Sequence, residues 1–315
     1  MMNKKKICVI LVVFSILCGC TNDKSASLEV SEYNNTENII TKEQFVEDKT
    51  HSGLCGVVCA NEDLFVVSKG DNCVIQYTNS GDIKNTFGIV GNGEGEFSSP
   101  VAICEFDNMI YIADENDGRV QVFDLDGNCL KKYYIDEIND SDISVLDVEV
   151  DEKYLYISVA SFNRNRAKIY MIDKVTGEYK KIGKDNMGVF GRDNNNNIYF
   201  AQAFDYFKDG DNDGYQDGDS YICTISDGKL VKLFELPEKY SPSDLFVFDD
   251  QLYIFSRAYS QIDVFELNGT YIKTIFSESS TVSNRGLGYM DIDKNGIVYL
   301  SDRENSIIYK LEKEK

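Results

Sequence analysis

The chain repeats an aromatic residue, set in a short apolar run, about every 45 residues. The six positions are Phe65, Tyr111, Tyr156, Tyr199, Tyr253 and Tyr299, with successive spacings of 46, 45, 43, 54 and 46 residues. A fixed period in the forties indicates a repeat array in which each unit is one supersecondary motif. The period therefore constrains the fold strongly, although it does not by itself name an activity, because one fold hosts many functions.

Within each repeat, the residue pattern predicts four short strands and no helix. In the second repeat, apolar or alternating stretches at 101–106, 109–114, 119–123 and 129–135 are separated by turn residues such as Asp126-Gly127. Stretches rich in β-branched and aromatic residues between turn signals are typical of strands, and Asp-Gly favours a tight hairpin turn.

Six such units predict an all-β fold, a six-bladed β-propeller with four-stranded antiparallel blades spanning residues 38–315. The last repeat is short, because after Tyr299 only residues 306–312 remain for a further strand. An unpaired edge strand is a liability for a folded protein. We therefore expect residues 38–46 to pair with the last blade and close the ring.

The N-terminus has the pattern of an export signal. Three lysines at 4–6 precede an apolar segment at 7–17, which is shorter than the roughly 20 residues of a membrane-spanning helix. The motif Leu17-Cys18-Gly19-Cys20-Thr21 follows and resembles a bacterial lipobox, which implies lipidation of Cys20. We predict a lipoprotein signal peptide at 1–19 and a flexible tether at 20–37, with an ordinary signal peptide as the alternative.

One repeat carries a family resemblance. Residues 91–100 (GNGEGEFSSP), Tyr111-Ile112-Ala113-Asp114 and 119–124 (RVQVFD) look like an NHL repeat, and residues 299–305 repeat its middle part. Together with the export signal, the chain resembles the six-bladed propeller lipoproteins of bacteria. That resemblance implies an extracytoplasmic protein that its N-terminal lipid anchors in the cell envelope. It implies a scaffold role at the surface and does not by itself imply a chemical reaction.

The charge balance excludes one class of partner. Removal of the lysines at 4–6 leaves 29 basic against 53 acidic residues, a net charge of −24. Nucleic-acid binding depends on neutralising phosphates with basic residues and is not expected here.

The cysteine content leaves the redox state open. Export favours disulfides, yet several of the six cysteines beyond Cys20 stand in apolar strand contexts, which favours buried free thiols. These cysteines are Cys55, Cys59, Cys73, Cys104, Cys129 and Cys223. The chain has one histidine, His51, so a zinc site of the Cys/His type and a Ser/His/Asp triad are not expected.

The fourth repeat contains an acidic insertion with calcium-loop spacing. Its side chains match positions 1, 3, 5 and 9 of an EF-hand-type loop, and Tyr215 would offer its carbonyl at position 7. Position 12 is Ser220 rather than glutamate, so a weak site is expected, and a solvated acidic loop is the alternative. The predicted Ca²⁺ ligands are Asp209, Asp211, Asp213, Tyr215, Asp217 and Asp219.

Arginines concentrate after the second strand of the repeats. Five of the seven, Arg119, Arg164, Arg166, Arg257 and Arg303, lie in or beside these loops, which gather on one face of a propeller. Guanidinium groups bind carboxylate or phosphate, and aromatic rings add stacking surface. Arg119 and Arg303 are expected to pair with Asp114 and Asp302. The candidates for a ligand-binding face are Arg164, Arg166, Arg257, Tyr206 and Tyr259, and for the three arginines the alternative is pairing with acids that fixes the loops.

Three functions remain compatible with the sequence. The first is a binding or scaffold lipoprotein for an extracytoplasmic protein, peptide or glycan, and the absence of a catalytic constellation favours it. The second is a metal-dependent hydrolase or lyase with a site at the mouth of the propeller channel. The third is a purely structural component of an envelope complex.

Overall fold

The computed structural model describes residues 40–115, 118–135, 143–161, 166–184, 186–203, 220–237, 240–278 and 287–312. Six four-stranded antiparallel sheets contain most of these residues, and they form the blades of a β-propeller. The predicted fold class is therefore confirmed. The described residues contain no helix with the length and apolarity of a membrane span.

The strands follow the predicted repeat. Strand β1 (Lys42–Glu47) precedes the first blade. Blade 1 comprises β2 (Leu54–Ala60), β3 (Asp63–Ser68), β4 (Cys73–Tyr77) and β5 (Ile83–Phe87). A short parallel pair, β6 (Ile89–Val90) and β7 (Glu96–Phe97), connects it to blade 2, with β8 (Pro100–Phe106), β9 (Met109–Asp114), β10 (Arg119–Asp124) and β11 (Cys129–Tyr134). Blade 3 comprises β12 (Ile143–Val150), β13 (Tyr154–Ser161), β14 (Arg166–Asp173) and β15 (Tyr179–Ile182).

The remaining blades have the same order. Blade 4 comprises β16 (Gly188–Arg192), β17 (Ile198–Gln202), β18 (Tyr221–Ser226) and β19 (Lys229–Glu235). Blade 5 comprises β20 (Pro242–Phe248), β21 (Gln251–Ser256), β22 (Gln261–Glu266) and β23 (Tyr271–Ser277). Blade 6 comprises β24 (Leu287–Ile292), β25 (Val298–Asp302), β26 (Ile307–Leu311) and, as its outer strand, β1.

The repeated aromatic residue explains the period. All six aromatic residues lie in the second strand of a blade, and each packs into the apolar cluster shared with the next blade. Phe65, for example, is fully buried between blades 1 and 2, and Tyr299 packs between blades 6 and 1. Burial of a large aromatic side chain is worth several kcal/mol. The core is thus six apolar seams between neighbouring blades.

The first strands of the six blades surround a central channel. Each of these inner strands contacts the inner strands of both neighbouring blades, so the ring is complete. We call the face with the hairpins between first and second strands the lower face, and the opposite face the upper face. The lower hairpins use residues that tolerate positive φ, as at Asp107 (φ 55°) and Asn108 (φ 59°).

The NHL-like motif holds the glycine-rich loop against blade 2. The Arg119 guanidinium is buried and binds the Asp114 carboxylate, which also accepts hydrogen bonds from the amides of Ser98 and Ser99. Arg119 donates to main-chain carbonyls of the glycine-rich loop as well, among them Asn92 (2.6 Å). The glycine-rich loop therefore presents carbonyl groups to the buried Arg119 cation.

The ring closes as the sequence predicts. Strand β1 pairs antiparallel with β26 and supplies the fourth strand of blade 6. Directly after β1, the buried Asp48 carboxylate accepts hydrogen bonds from the Tyr77 hydroxyl (2.5 Å), Thr50 and the His51 ring (2.8 Å). Burial raises the pKa of Asp48, but these bonds outweigh it and hold the pKa below its usual range. Asp48 thus connects the closing strand to blade 1.

We expect Asp48→Ala to lower the free energy of unfolding by about 1–3 kcal/mol, because the buried Tyr77 hydroxyl loses its acceptor. Chemical denaturation measures this effect. Glu47→Ala, which alters an exposed neighbour on the closing strand, is the matched control. Equal midpoints for both variants would contradict the assigned role of Asp48.

Candidate functional site

The central channel contains a cluster of carboxyl groups. Asp147 and Glu149 lie two residues apart on β12, so both point to the same side of the strand. Asp244 on β20 and Asp291 on β24 line the same cavity. Its volume is about 140 Å³. We call this space the channel cavity.

Three of these carboxylates connect neighbouring blades. Asp147 accepts a hydrogen bond from the Phe190 amide (2.7 Å), and Asp244 accepts one from the Met290 amide (2.6 Å). Asp291 accepts one from the Cys59 amide (2.5 Å). In each case, the donor lies on the inner strand of the next blade. These bonds give the aspartates a structural role at three seams.

Asp291 has a hydrogen-bonding capacity that this role does not use. Its side chain is only 4% exposed, and its Oδ1 atom is buried without a well-formed hydrogen bond, although the Ile292 amide and the Cys59 side chain lie close enough to the carboxyl group to favour its charged form. An unsatisfied buried carboxylate oxygen is costly and calls for a proton, an ion or a ligand group. Asp291 lines the channel cavity, so such a group would bind there.

One cation lies in this part of the channel. The Arg192 guanidinium donates to Glu149 Oε1 (3.3 Å) and to the Glu105 carbonyl (2.8 Å), and it lies over the Phe106 ring. Arg192 is thus engaged by Glu149 and neighbouring groups. Among the described residues that line the cavity, no lysine or second arginine compensates the three aspartates.

Burial raises the pKa values of the channel carboxyl groups. Burial raises the pKa of Asp147 to about 8 and the pKa of Asp291 to about 7, against the hydrogen bonds that favour their charged forms. Burial, reinforced by the charge of Asp147, also raises the pKa of Asp244 well above its ordinary value. The pKa of Glu149 is raised by burial, although Arg192 opposes the shift. A ligand cation would displace these protons.

The cavity walls combine carboxylates with aromatic rings. Phe190, Phe246 and Tyr289 line it alongside the aspartates. In the part of the chain that the structure describes, no three His, Cys, Asp or Glu side chains gather closely enough to bind one metal ion. Carboxylates and aromatic faces together suit an organic ammonium group, which needs no close-packed ligand shell.

The structure places only some of the predicted site residues. Arg257 lies exposed at the upper end of the channel, and Tyr259 packs against Tyr240, with ring centroids 5.7 Å apart. The side chains of Arg164 and Arg166 lie outside the described residues. So do Cys20, Tyr206 and the predicted calcium ligands Asp209, Asp211, Asp213, Tyr215, Asp217 and Asp219.

The expected arginine–aspartate pairs have different outcomes. Arg119 pairs with Asp114, as predicted (3.1 Å). The expected pair of Arg303 and Asp302 is wrong, because Asp302 instead accepts hydrogen bonds from the amides of Glu304 and Asn305 and from the Asn305 side chain. Local turn bonds occupy that carboxylate, and Arg303 is exposed.

The six described cysteines are free thiols. Burial raises the pKa of several of them, including that of Cys55 to about 11, which keeps these thiols protonated and unreactive. The preference for buried free cysteines is therefore confirmed for Cys55, Cys73, Cys104 and Cys223, whereas Cys59 and Cys129 are half-buried.

The sequence did not reveal the channel aspartates as a site. They stand in the first strand of their repeats, where Leu146-Asp147-Val148-Glu149 and Met290-Asp291-Ile292 interrupt otherwise apolar surroundings. Charged residues are rare inside strands that are buried on both faces. Acidic residues within the first strands are thus the sequence feature that could have indicated the channel site.

The pKa values predict how stability depends on pH. Asp147 and Asp291 bind protons more tightly in the folded protein than in the unfolded chain, where their pKa is about 3.9. The free energy of unfolding therefore falls as pH rises from about 4 through about 8, and then levels off. We expect Asp147→Asn to raise Tm by about 2–4 °C at pH ~8.5 and to have little effect at pH ~4.5.

Thermal melts across this range test the prediction. Asp249→Asn, at an exposed lower hairpin where asparagine also tolerates the observed φ of 49°, is the control. A pH dependence that is unchanged in Asp147→Asn would show that this carboxyl group does not hold a proton in the folded state.

No protein-family model matches the chain, and no curated protein matches it in sequence. The NHL resemblance therefore stays a prediction. Solved structures do share the fold. A streptogramin B lyase is 15% identical, with a TM-score of 0.58 over 87% of this chain and 97% of that chain.

Other similar structures have different described activities. A calcium-binding protein, regucalcin from Agrobacterium tumefaciens, is 12% identical, with a TM-score of 0.60 over 87% of this chain and 95% of that chain. A Trichoderma reesei enzyme of carbohydrate-active family AA12 is also 12% identical, with a TM-score of 0.61 over 87% and 96% of the two chains. At such identities, the similarity shows the six-bladed β-propeller fold and no particular activity.

Proposed function

We propose that this protein is an exported, lipid-anchored binding protein whose channel cavity binds an organic ammonium group. The observation that carries the proposal is the unpartnered Oδ1 atom of Asp291, buried at the wall of that cavity. An ammonium group donates up to three hydrogen bonds, and its positive charge would compensate the carboxylates of the neighbouring aspartates.

Charge favours a cationic ligand. Asp147, Asp244 and Asp291 share one cavity, and the Arg192 guanidinium is already bound by Glu149. Without a ligand, burial raises the pKa of all three aspartates and so favours their protonated forms. A cation that enters the cavity exchanges with one or more of the protons, so binding strengthens as pH rises through about 7–8.

Size and wall chemistry narrow the ligand class. A cavity of about 140 Å³ is similar to the roughly 150 Å³ engineered cavity that accommodates benzene. It fits a small amine, the tip of a lysine side chain or the amino group of a sugar. Phe246 and Tyr289, which are half-buried, offer aromatic surface to such a cation, whereas the Phe190 ring packs against Tyr156 and Phe200 in the seam. A protein, peptide or glycan partner could thus present the ammonium group.

The competing explanation is purely structural. Main-chain amides donate to both oxygens of Asp147 and Asp244 and to one oxygen of Asp291, and that role requires no ligand. It does not account for Asp291 Oδ1. A fixed component of an envelope complex remains the alternative function, and co-purification with a constant partner in place of amine binding would favour it.

A second candidate function is that of a hydrolase or lyase using the same cavity. The observation that favours it is the pKa of Asp291 near 7, since such a carboxyl group can donate and accept protons at neutral pH. Among the described residues, no three ligand side chains lie close enough together to bind one metal ion. A metal ion in this cavity would therefore be bound partly through water. Turnover that is lost in Asp291→Asn would distinguish this function from binding alone.

The envelope location rests on the N-terminal motif. The lysines at 4–6, the apolar segment at 7–17 and the Gly19-Cys20 junction support export followed by lipidation of Cys20. The segment at 20–37 would then place the propeller at a distance from the membrane surface. Loss of lipid labelling in a Cys20→Ala variant would distinguish this arrangement from an ordinary signal peptide.

The acidic insertion supports a separate, weak calcium site. If its aspartates bind Ca²⁺, millimolar calcium raises Tm, because binding to the folded state alone stabilises it. We expect the rise to disappear in an Asp211→Ala/Asp213→Ala double variant, whereas Asp126→Ala, at a different hairpin, retains it. An unchanged Tm at millimolar calcium would identify the insertion as a solvated loop.

Amine binding tests the proposed function. We expect butylammonium to bind to the protein at pH ~8 and 1-butanol, its neutral analogue, to bind at least about tenfold more weakly, since charge-assisted hydrogen bonds contribute about 1.5–3 kcal/mol. Asp291→Asn should weaken butylammonium binding by about 10-fold or more. Titration calorimetry measures each affinity.

The control is Asp293→Asn, which alters a carboxylate in the hairpin after the same strand, outside the channel cavity. Equal affinities for amine and alcohol, or equal losses in Asp291→Asn and Asp293→Asn, would overturn the proposal.

A further inference from the structure

A second cavity lies at the upper end of the channel. Its volume is about 330 Å³, and it is lined mainly by apolar groups, including Val145, Met187, Ala203 and Pro242. Tyr289 borders both this space and the channel cavity. We call the upper space the upper vestibule. Because its wall carries no carboxylate among the described residues, its chemistry differs from that of the channel cavity.

Arg257 lies at the wall of the upper vestibule. The main chain fixes its position, because the Arg257 amide donates to the Ser241 carbonyl (2.9 Å). Its guanidinium lies directly over Gly288, with Nη2 2.9 Å from the place that a β-carbon of residue 288 would occupy. The absence of a side chain at Gly288 therefore allows the guanidinium to rest at the channel mouth.

Arg257 and Arg303 are the arginines of the described residues for which the structure gives no carboxylate partner. Arg119 and Arg192, by contrast, are paired with Asp114 and Glu149. Burial raises the pKa of Tyr289, and the positive charges of Arg257 and Arg303 oppose this shift, which places both guanidinium groups near the tyrosine. Arg257 thus lines the upper vestibule of a strongly acidic protein without a carboxylate partner among the described residues, whereas Arg303 is not part of the lining.

We propose that the upper vestibule binds a carboxylate carried by a small apolar group. Arg257 binds the carboxylate, and the apolar walls contact the rest of the ligand. A planar guanidinium forms two parallel hydrogen bonds with a carboxylate, which gives this ligand class an advantage over a neutral one. This site is independent of the ammonium site, because it uses a different cavity and groups of opposite charge.

Two kinds of ligand carry a carboxylate on a small apolar group. One is a free carboxylic acid with an aliphatic body, and the other is the C-terminal residue of a peptide with an apolar side chain. A cavity of about 330 Å³ is large enough for either, since small-molecule sites begin at about 300 Å³. Hexanoate represents the first source and N-acetyl-leucine represents the second.

The alternative is that Arg257 and Arg303 are simply solvated. Exposed arginines are common on protein surfaces and do not by themselves indicate a ligand. The two explanations differ in whether carboxylate binding depends on the position of the Arg257 guanidinium. Gly288→Ala separates them, because the new methyl group meets only the flexible end of Arg257 and displaces the guanidinium without removing its charge.

Titration calorimetry of the protein with hexanoate, N-acetyl-leucine and 1-hexanol tests the proposal. We expect at least one carboxylate to bind at least about tenfold more tightly than 1-hexanol, and the tighter one identifies the source. Arg257→Gln and Gly288→Ala should each weaken carboxylate binding by about tenfold or more. Lys69→Gln is the control, since Lys69 lies on the same face but is paired with Glu115 (2.7 Å).

Equal binding of the carboxylates and 1-hexanol would overturn the proposal. So would wild-type affinity in Arg257→Gln or Gly288→Ala, or an equal loss in Lys69→Gln, which would reveal only a general effect of net charge. Butylammonium binding in the same variants provides an independent readout. Loss of carboxylate binding in Arg257→Gln with intact amine binding would confirm that the two cavities act separately.

Discussion

The structure depends on the apolar seam between neighbouring blades. In every blade, the aromatic residue of the second strand packs toward the next blade, as Tyr111 does between blades 2 and 3 and Tyr156 between blades 3 and 4. A single four-stranded sheet cannot bury both of its faces, so each blade requires two neighbours. Closure of the ring by β1 gives blades 6 and 1 the same seam. The channel and its cavities follow from this arrangement.

Polar groups reinforce the seams where the inner strands approach one another. The carboxylates of Asp147, Asp244 and Asp291 each accept a main-chain amide from the next blade. Burial of three carboxyl groups in one cavity disfavours their charged forms and raises their pKa values. The same residues that connect the blades therefore supply the proton-holding interior on which ligand binding would depend. Only Asp291 leaves an oxygen atom without a partner.

The sequence predicted the features that depend on periodicity. The aromatic repeat located the second strand of every blade, and the shortened last repeat led to the closing strand β1. Periodicity could not identify the channel aspartates, because alternation along a strand does not reveal which buried face lines a shared cavity. It also could not show that the turn at Asp302 binds its own amides instead of Arg303. Such contacts depend on the three-dimensional approach of blades and on local turn geometry.

The proposed binding of a cation requires that the channel carboxyl groups hold protons at neutral pH and release them to the ligand. Infrared difference spectroscopy measures this directly, because a protonated carboxyl group has a carbonyl band that a carboxylate lacks. We expect such a band in the ligand-free protein at pH ~7, its reduction in Asp147→Asn and Asp291→Asn, and its loss when butylammonium is added. A ligand-free spectrum without the band of protonated carboxyl groups, or a spectrum that butylammonium leaves unchanged, would contradict proton release to a cation.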